Sequence, residues 1–266
     1  MVDSDKILIF GPTHTSASML LSALVEGKRP DGSRYAGVHE PFHRSFKDRM
    51  SSQFHPPAGV PRWERGKGTC HYDWVRRNLS DISAPIALKT SAGHYRHKDA
   101  LASLLRITSV WADLIILTSR PILDCACSII VDREKSKMGD WSAYGRYQGM
   151  QPGSSEWKSS WTRHCIRAAE DAIRTSLVRE HIIKSGRGSS IRQFSHKMAA
   201  SPTTLANVLR HWELPSDGSS TVSPSTLPVM AYLSQDALSK ISTTIHKHLK
   251  GQGHHYLQPF VEGPTS

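Results

Sequence analysis

A three-layer α/β/α fold around a mainly parallel central sheet is predicted by two strand-to-helix transitions and the helix between them. Lys6-Ile7-Leu8-Ile9-Phe10 is a short apolar run that passes through Gly11-Pro12-Thr13-His14-Thr15-Ser16-Ala17-Ser18 into Met19, Leu20, Leu21, Leu24 and Val25, which have amphipathic helical spacing. Leu114-Ile115-Ile116-Leu117 reads as a second buried strand, followed by an Arg120-Pro121 turn and another helix start. Residues 99–105 have helical spacing and precede that strand, as a crossover between parallel strands requires.

The first transition forms an anion site on general grounds. Backbone N–H groups at a helix start and the helix macrodipole attract negative charge, and Thr15, Ser16 and Ser18 add hydroxyl donors. A serine-rich helix cap is the purely structural alternative. No Gly-Lys-Ser/Thr ending occurs, so the lysine and magnesium-holding hydroxyl of a Walker A loop are missing.

The stretch 37–77 is the least regular, with Pro41, Pro56, Pro57 and Pro61 beside Trp63, Tyr72 and Trp74. It reads as a long ordered insertion on the acceptor side of a site. At the second transition, Arg120 stands at the carboxyl end of its strand, where ligands of open α/β sheets bind. Ser128 follows about two helical turns later. A guanidinium fork and a hydroxyl donor in that layout suit a phosphate, although a topological turn with a surface arginine has the same spelling.

Residues 135–155, with Trp141, Tyr144 and Tyr147, read as a lid. Helical periodicity runs over 157–183, where Trp157, Trp161, Cys165, Ala168, Ala169, Ala172 and Ile173 form a stripe expected to face the core. A last strand is predicted at 191–194 and a helix at 203–212, closed by Leu214-Pro215. Residues 216–225 form a polar linker, and 235–250 a final amphipathic helix with Leu238, Ile241, Ile245 and Leu249 in line. No internal repeat is present, and residues 1–266 are expected to form one domain.

Several of these motifs resemble those of the PAPS-dependent sulfotransferases of the P-loop sulfotransferase superfamily. The run from Gly11 to Leu21 resembles their 5′-phosphosulfate loop, Gly-x-x-Arg/Lys-Ser-Gly-Thr-Thr/Ser followed by apolar residues. Arg120 to Ser128 resembles the 3′-phosphate motif, Arg-x-Pro-x-Asp-x-x-x-Ser, with Arg120, Asp124 and Ser128 in register and Pro121 one position early. Ala87-Leu88-Lys89-Thr90-Ser91-Ala92-Gly93-His94 resembles a Lys-Thr/Ser-Pro-x-His segment with one residue more between Lys89 and His94. Residues 191–215 resemble the late strand, loop and helix, and His39-Glu40-Pro41-Phe42-His43 is similar to the Glu-Pro pair that follows the first helix.

A divergent member is implied, since His14 stands where a permanent cation is usual, and Ser16 and Ala17 where Gly and Thr are usual. The resemblance implies a P-loop NTPase-like sulfotransferase fold and 3′-phosphoadenosine 5′-phosphosulfate (PAPS) as co-substrate, with no metal. Pro12, Thr13, His14, Thr15, Ser16, Ala17, Ser18, Arg120 and Ser128 would bind PAPS. Lys89 and His14 would stabilise charge on the leaving phosphate, and His94 would act as base toward a hydroxyl or amine. His39, Glu40 and His43 would contact the acceptor. A nucleotide-binding P-loop protein without catalysis and a kinase-like enzyme using ATP remain the alternatives.

Composition favours anionic partners: Lys+Arg 34 against Asp+Glu 23 give a net charge of +11 and a pI near 9.7. Zinc-finger spacing, an aromatic-rich sheet motif and a dense Lys/Arg tract are all missing, which makes a charged nucleotide a more economical partner than nucleic acid. Trp63, Tyr72, Trp74 and Trp141 suit a ring-bearing small acceptor. Cys70, Cys125, Cys127 and Cys165 make no CxxC pair or disulfide framework, so reduced thiols are expected. The densest histidine group, His246, His248, His254 and His255, lacks a carboxylate or cysteine partner for a metal. The polar start Met1-Val2-Asp3-Ser4-Asp5 and the want of a run of about eighteen apolar residues predict a cytoplasmic protein without a membrane span.

Overall fold

The structure, a computed structural model, describes residues 4–39, 85–94, 101, 104–105, 111–137, 151–217 and 229–262. Glu40, His43, the aromatic residues of the expected insertion, the lid from 138 to 150 and the linker from 218 to 225 lie outside the described residues.

Five parallel strands form the sheet: β1 (Lys6–Gly11), β2 (Ala36–His39), β3 (Ile86–Ser91), β4 (Leu114–Ser119) and β5 (Ile191–Ser195), in the order β2-β3-β1-β4-β5. β1 is central because it is apolar on both faces. Ile7 and Ile9 pack with Leu20, Leu21 and Leu24 of α1 (Ala17–Glu26) and with Leu205 and Leu209 of a later helix. Leu8 and Phe10 point the other way, against Leu104, Val178 and Ile182. Alternate residues thus serve opposite layers, and the strand reads as one continuous apolar run, as strands covered by helices on both faces do.

Further helices with described bounds are α2 (Ile122–Lys137), α3 (Thr162–Lys184), α4 (Pro202–His211) and α5 (Gln235–Gly251). A core of Ile129, Ile130, Trp161, Cys165, Ile241 and Ile245 joins α2, α3 and α5. Serine caps begin the last two helices: Ser201 accepts from the Thr204 amide and Ser234 from the Ala237 amide, while Pro202 occupies the first turn of α4.

Two expectations change. Residues 37–39, assigned to the irregular insertion, belong to the edge strand β2, which is too short for alternation to reveal it. The 157–183 helix begins later, at Thr162, because a 3-10 turn at Ser159–Trp161 precedes it; Trp157 instead packs edge-on against Trp161 at 6.0 Å.

From β1 the chain first builds outward on one side, to β2 and then β3 between them, and then crosses to β4 and β5 on the other side. The reversal of order falls between β1 and β4, and a crevice at such a switch point, beyond the carboxyl ends, is where this architecture binds ligands. Gly11 closes the two strands there. A Cβ at this position would lie 2.1 Å from Thr118 Oγ1 and 2.4 Å from the Thr118 carbonyl oxygen. Gly11→Ala is therefore expected to lower unfolding free energy by about 1–3 kcal/mol, the range for overpacking. Urea denaturation checks this, and an unchanged midpoint would show that the strands part without cost.

Candidate functional site

The carboxyl ends of β1, β3 and β4 bring the first loop, His94 and Arg120 to one edge of the sheet. After β1 the chain runs through Pro12, Thr13, His14, Thr15 and Ser16 into α1. Thr15 is buried and its hydroxyl donates to the Pro12 carbonyl at 3.0 Å, so its single proton is used. It therefore accepts from the Thr118 hydroxyl, 2.7 Å away. Thr13 donates to the carboxylate of Asp171, on α3, at 3.2 Å. These two threonine hydroxyls, expected to face a ligand, instead hold the loop in shape.

His14 and Ser16 lie in left-handed backbone, with φ of 63° and 61°. An L-residue there costs about 1–2 kcal/mol, and strain of this kind gathers at binding loops. Ser16→Gly is expected to raise stability by about 0.5–1 kcal/mol, because glycine accepts this φ freely but loses more chain entropy on folding. Its check is the urea midpoint, and a destabilised variant would contradict the strain. Ser16 makes no side-chain cap bond to α1, and no acidic residue occupies the first helical turn. Neither a side-chain cap nor a carboxylate thus offsets the positive end of the α1 dipole, which favours an anion there, with Ser18 half-buried and Ala17 buried at the same start.

Arg120 follows β4 directly and is mostly buried. Its Nη1 donates to Ser128 Oγ and to the His14 carbonyl, each at 3.0 Å, and its Nε faces Asp124 Oδ2 at 3.4 Å. One guanidinium therefore connects the β4–α2 turn to the first loop. Ser128 is 3% exposed, two turns along α2. Cys125 and Cys127 flank this face as packing groups: both are buried, and burial foremost pushes the Cys125 thiol up to about 12 and Cys127 higher still.

The His14 imidazole lies with Nδ1 3.3 Å from Asp132 Oδ2, and a third of its side chain is accessible. Its pKa is lowered. The crowding that strips water from the ring is the main cause; Asp132 opposes it, and the charges of Arg120, Arg167 and Lys89 add to it. At neutral pH the histidine is therefore uncharged, unlike the cation usual at this place in the family it resembles.

Lys89 is 6% exposed in β3, in register with Ile9 of β1 and His39 of β2. His94 ends the 3-10 turn Ala92–His94 that leaves β3. Gly93 permits this turn to sit close to α3: a Cβ there would be 3.2 Å from Asp171 Oδ2 and 3.3 Å from Arg167 Nη2.

Three residues of the site carry no motif. Thr118 and Asp171 support the first loop, and Asp171 is 0% exposed with Arg174 Nη1 3.2 Å from its Oδ1. His196 begins the 3-10 turn after β5, with a buried Nδ1 that has no hydrogen-bond partner among the described residues. Burial first, and then the Arg120 charge, lower its pKa. Its position within 191–215 was the available signal.

Among the described residues no group of three His, Cys, Asp or Glu side chains is placed to hold a metal ion, and no helix is long and apolar enough to cross a membrane. No protein-family model matches the chain, and a search of curated proteins finds no match.

Proposed function

We propose that the chain is a sulfotransferase that binds PAPS across the β1–β4 crevice and passes its sulfuryl group to a hydroxyl or amine of a small acceptor. The observation that carries this reading is the convergence of Arg120 Nη1 on Ser128 Oγ and on the first-loop carbonyl of His14. The two side chains that resemble a 3′-phosphate grip share one hydrogen bond, next to a helix start with no side-chain cap and no acidic residue in its first turn. The central position of the loop-bearing strand in the order β2-β3-β1-β4-β5 supports a P-loop-like sulfotransferase fold.

In this reading Arg120 and Ser128 hold the 3′-phosphate, while the amides of α1 with Ser16 and Ser18 hold the 5′-phosphosulfate. The donor set fits: a guanidinium fork, hydroxyls and helix amides all complement doubly charged oxyanions. The acceptor oxygen or nitrogen forms a bond to sulfur as the bond from sulfur to the bridging phosphate oxygen breaks. That oxygen leaves with the electron pair, and the acceptor proton passes to the His94 imidazole. Lys89 and the loop donors oppose the charge that grows on the leaving phosphate, the stage at which fixed donors lower the barrier.

Calorimetry with 3′-phosphoadenosine 5′-phosphate, 5′-AMP and magnesium ATP tests the reading. Saturable binding of the first and a clear preference for it are expected, together with a product one SO3 unit heavier when PAPS and an acceptor mixture are supplied. No preference for the 3′-phosphorylated nucleotide sinks it. A second reading, nucleotide binding without turnover, is favoured by the uncharged, Asp132-paired His14. Binding without any sulfated product is its mark.

A further inference from the structure

A cleft of about 740 Å³ opens between α2 and α3, and its described lining contains Arg133, Arg163, Arg167 and Arg174 with two carboxylates, Glu134 and Glu170. Both carboxylates are engaged. Glu134 accepts from the Lys158 ammonium and from Trp161 Nε1, and Glu170 accepts from Arg174 Nη2 at 2.8 Å. Arg174 also binds the buried Asp171 beneath the cleft. Among the described lining residues arginines thus outnumber carboxylates, in line with the net charge of +11.

The cleft adjoins the proposed transfer site through α3. Arg167, in its wall, has Nη2 3.3 Å from the place where a side chain on Gly93 would begin, one residue before His94. Asp171, one turn further, binds Thr13 of the first loop. At its other wall Arg133 follows Asp132, the partner of His14. Arginine side chains in such a hollow recognise planar or tetrahedral oxyanions through paired N–H donors, and a dry apolar acceptor gains nothing from them.

We propose that this cleft is the acceptor subsite and that it selects an acceptor bearing a carboxylate or sulfate group besides the hydroxyl or amine that is modified. The inference rests on the sulfotransferase reading and names its substrate class. It adds an anionic group to the ring-bearing small acceptor expected from Trp63, Tyr72, Trp74 and Trp141.

The test is calorimetry on the full chain, first with 3′-phosphoadenosine 5′-phosphate alone. The saturated protein then receives three matched pairs: 4-hydroxybenzyl alcohol and 4-hydroxybenzoate, glucose and glucuronate, glucosamine and glucosamine 6-sulfate. The anionic member of at least one pair is expected to bind roughly tenfold tighter or better, the scale of one charge-assisted hydrogen bond. That preference is expected to disappear in the double variant Arg133→Ala with Arg163→Ala, both exposed positions, while nucleotide affinity stays within about twofold. Nucleotide binding without any anion preference, or a preference that survives the double variant, overturns the acceptor proposal alone. Failure of the nucleotide itself to bind overturns the sulfotransferase reading and the subsite with it.

Discussion

Arg120→Ala is expected to weaken 3′-phosphoadenosine 5′-phosphate binding by about 3–6 kcal/mol, upwards of roughly 100-fold, since hydrogen bonds to charged groups contribute about 1.5–3 kcal/mol each and two donors are lost. The geometry concentrates the effect. Arg120 is the side chain that reaches Ser128 and the His14 carbonyl together, so its removal takes the charge from one end of the crevice and a tether from the other. Ser128→Ala removes one hydroxyl and should cost about tenfold. Arg120→Lys keeps the charge without the fork and belongs between the two. Calorimetry gives the affinities, and thermal unfolding of each variant separates lost contacts from a loosened loop. An Arg120→Ala protein with unchanged affinity would place the 3′-phosphate elsewhere.

His94→Ala is expected to reduce turnover by about 10²–10⁴, the usual contribution of a positioned general base, with nucleotide affinity within about twofold of the original. The split between the two measurements matters. His94 ends the turn after β3, whereas the proposed phosphate grip comes from β4 and α2, so a base on the first should leave the second alone. Rapid-quench assays with PAPS and an identified acceptor supply the rate. Partial recovery with added imidazole would support proton removal. A variant with undiminished turnover would rule His94 out as base.

The parts of this fold that could be read directly from the chain are those where packing and spelling coincide. β1 and β4 are apolar on both faces, so each appears as an unbroken run, and α5 buries Ile241, Ile245 and Leu249 at helical spacing. β3 carries no strand prediction, its residues entering only as the segment around Lys89 and His94. It buries Lys89, Thr90 and Ser91, polar residues that mimic a surface segment until the partners on either side are known. Asp171 shows the same difficulty in a helix: a carboxylate flanked by Glu170 and Arg174 looks solvated, yet it is enclosed and bonded to a loop 158 positions earlier. Arg120 and Ser128 were legible because a strand end followed by a helix fixes their separation. The departure of Ser16 from glycine was legible too, and its left-handed backbone shows what that departure entails.

The bond from Arg120 to the His14 carbonyl has a consequence for how the two ends of the crevice communicate. The same Nη1 that an incoming phosphate would recruit already restrains a residue in strained backbone. Drawing that donor toward an anion relaxes its hold on the loop, so occupancy at the β4 end is felt at the β1 end without any moving domain. Under the proposed function the two phosphate sites would then be thermodynamically linked through a single shared proton donor, and fragments of the nucleotide would not need to have affinities that combine to that of the whole.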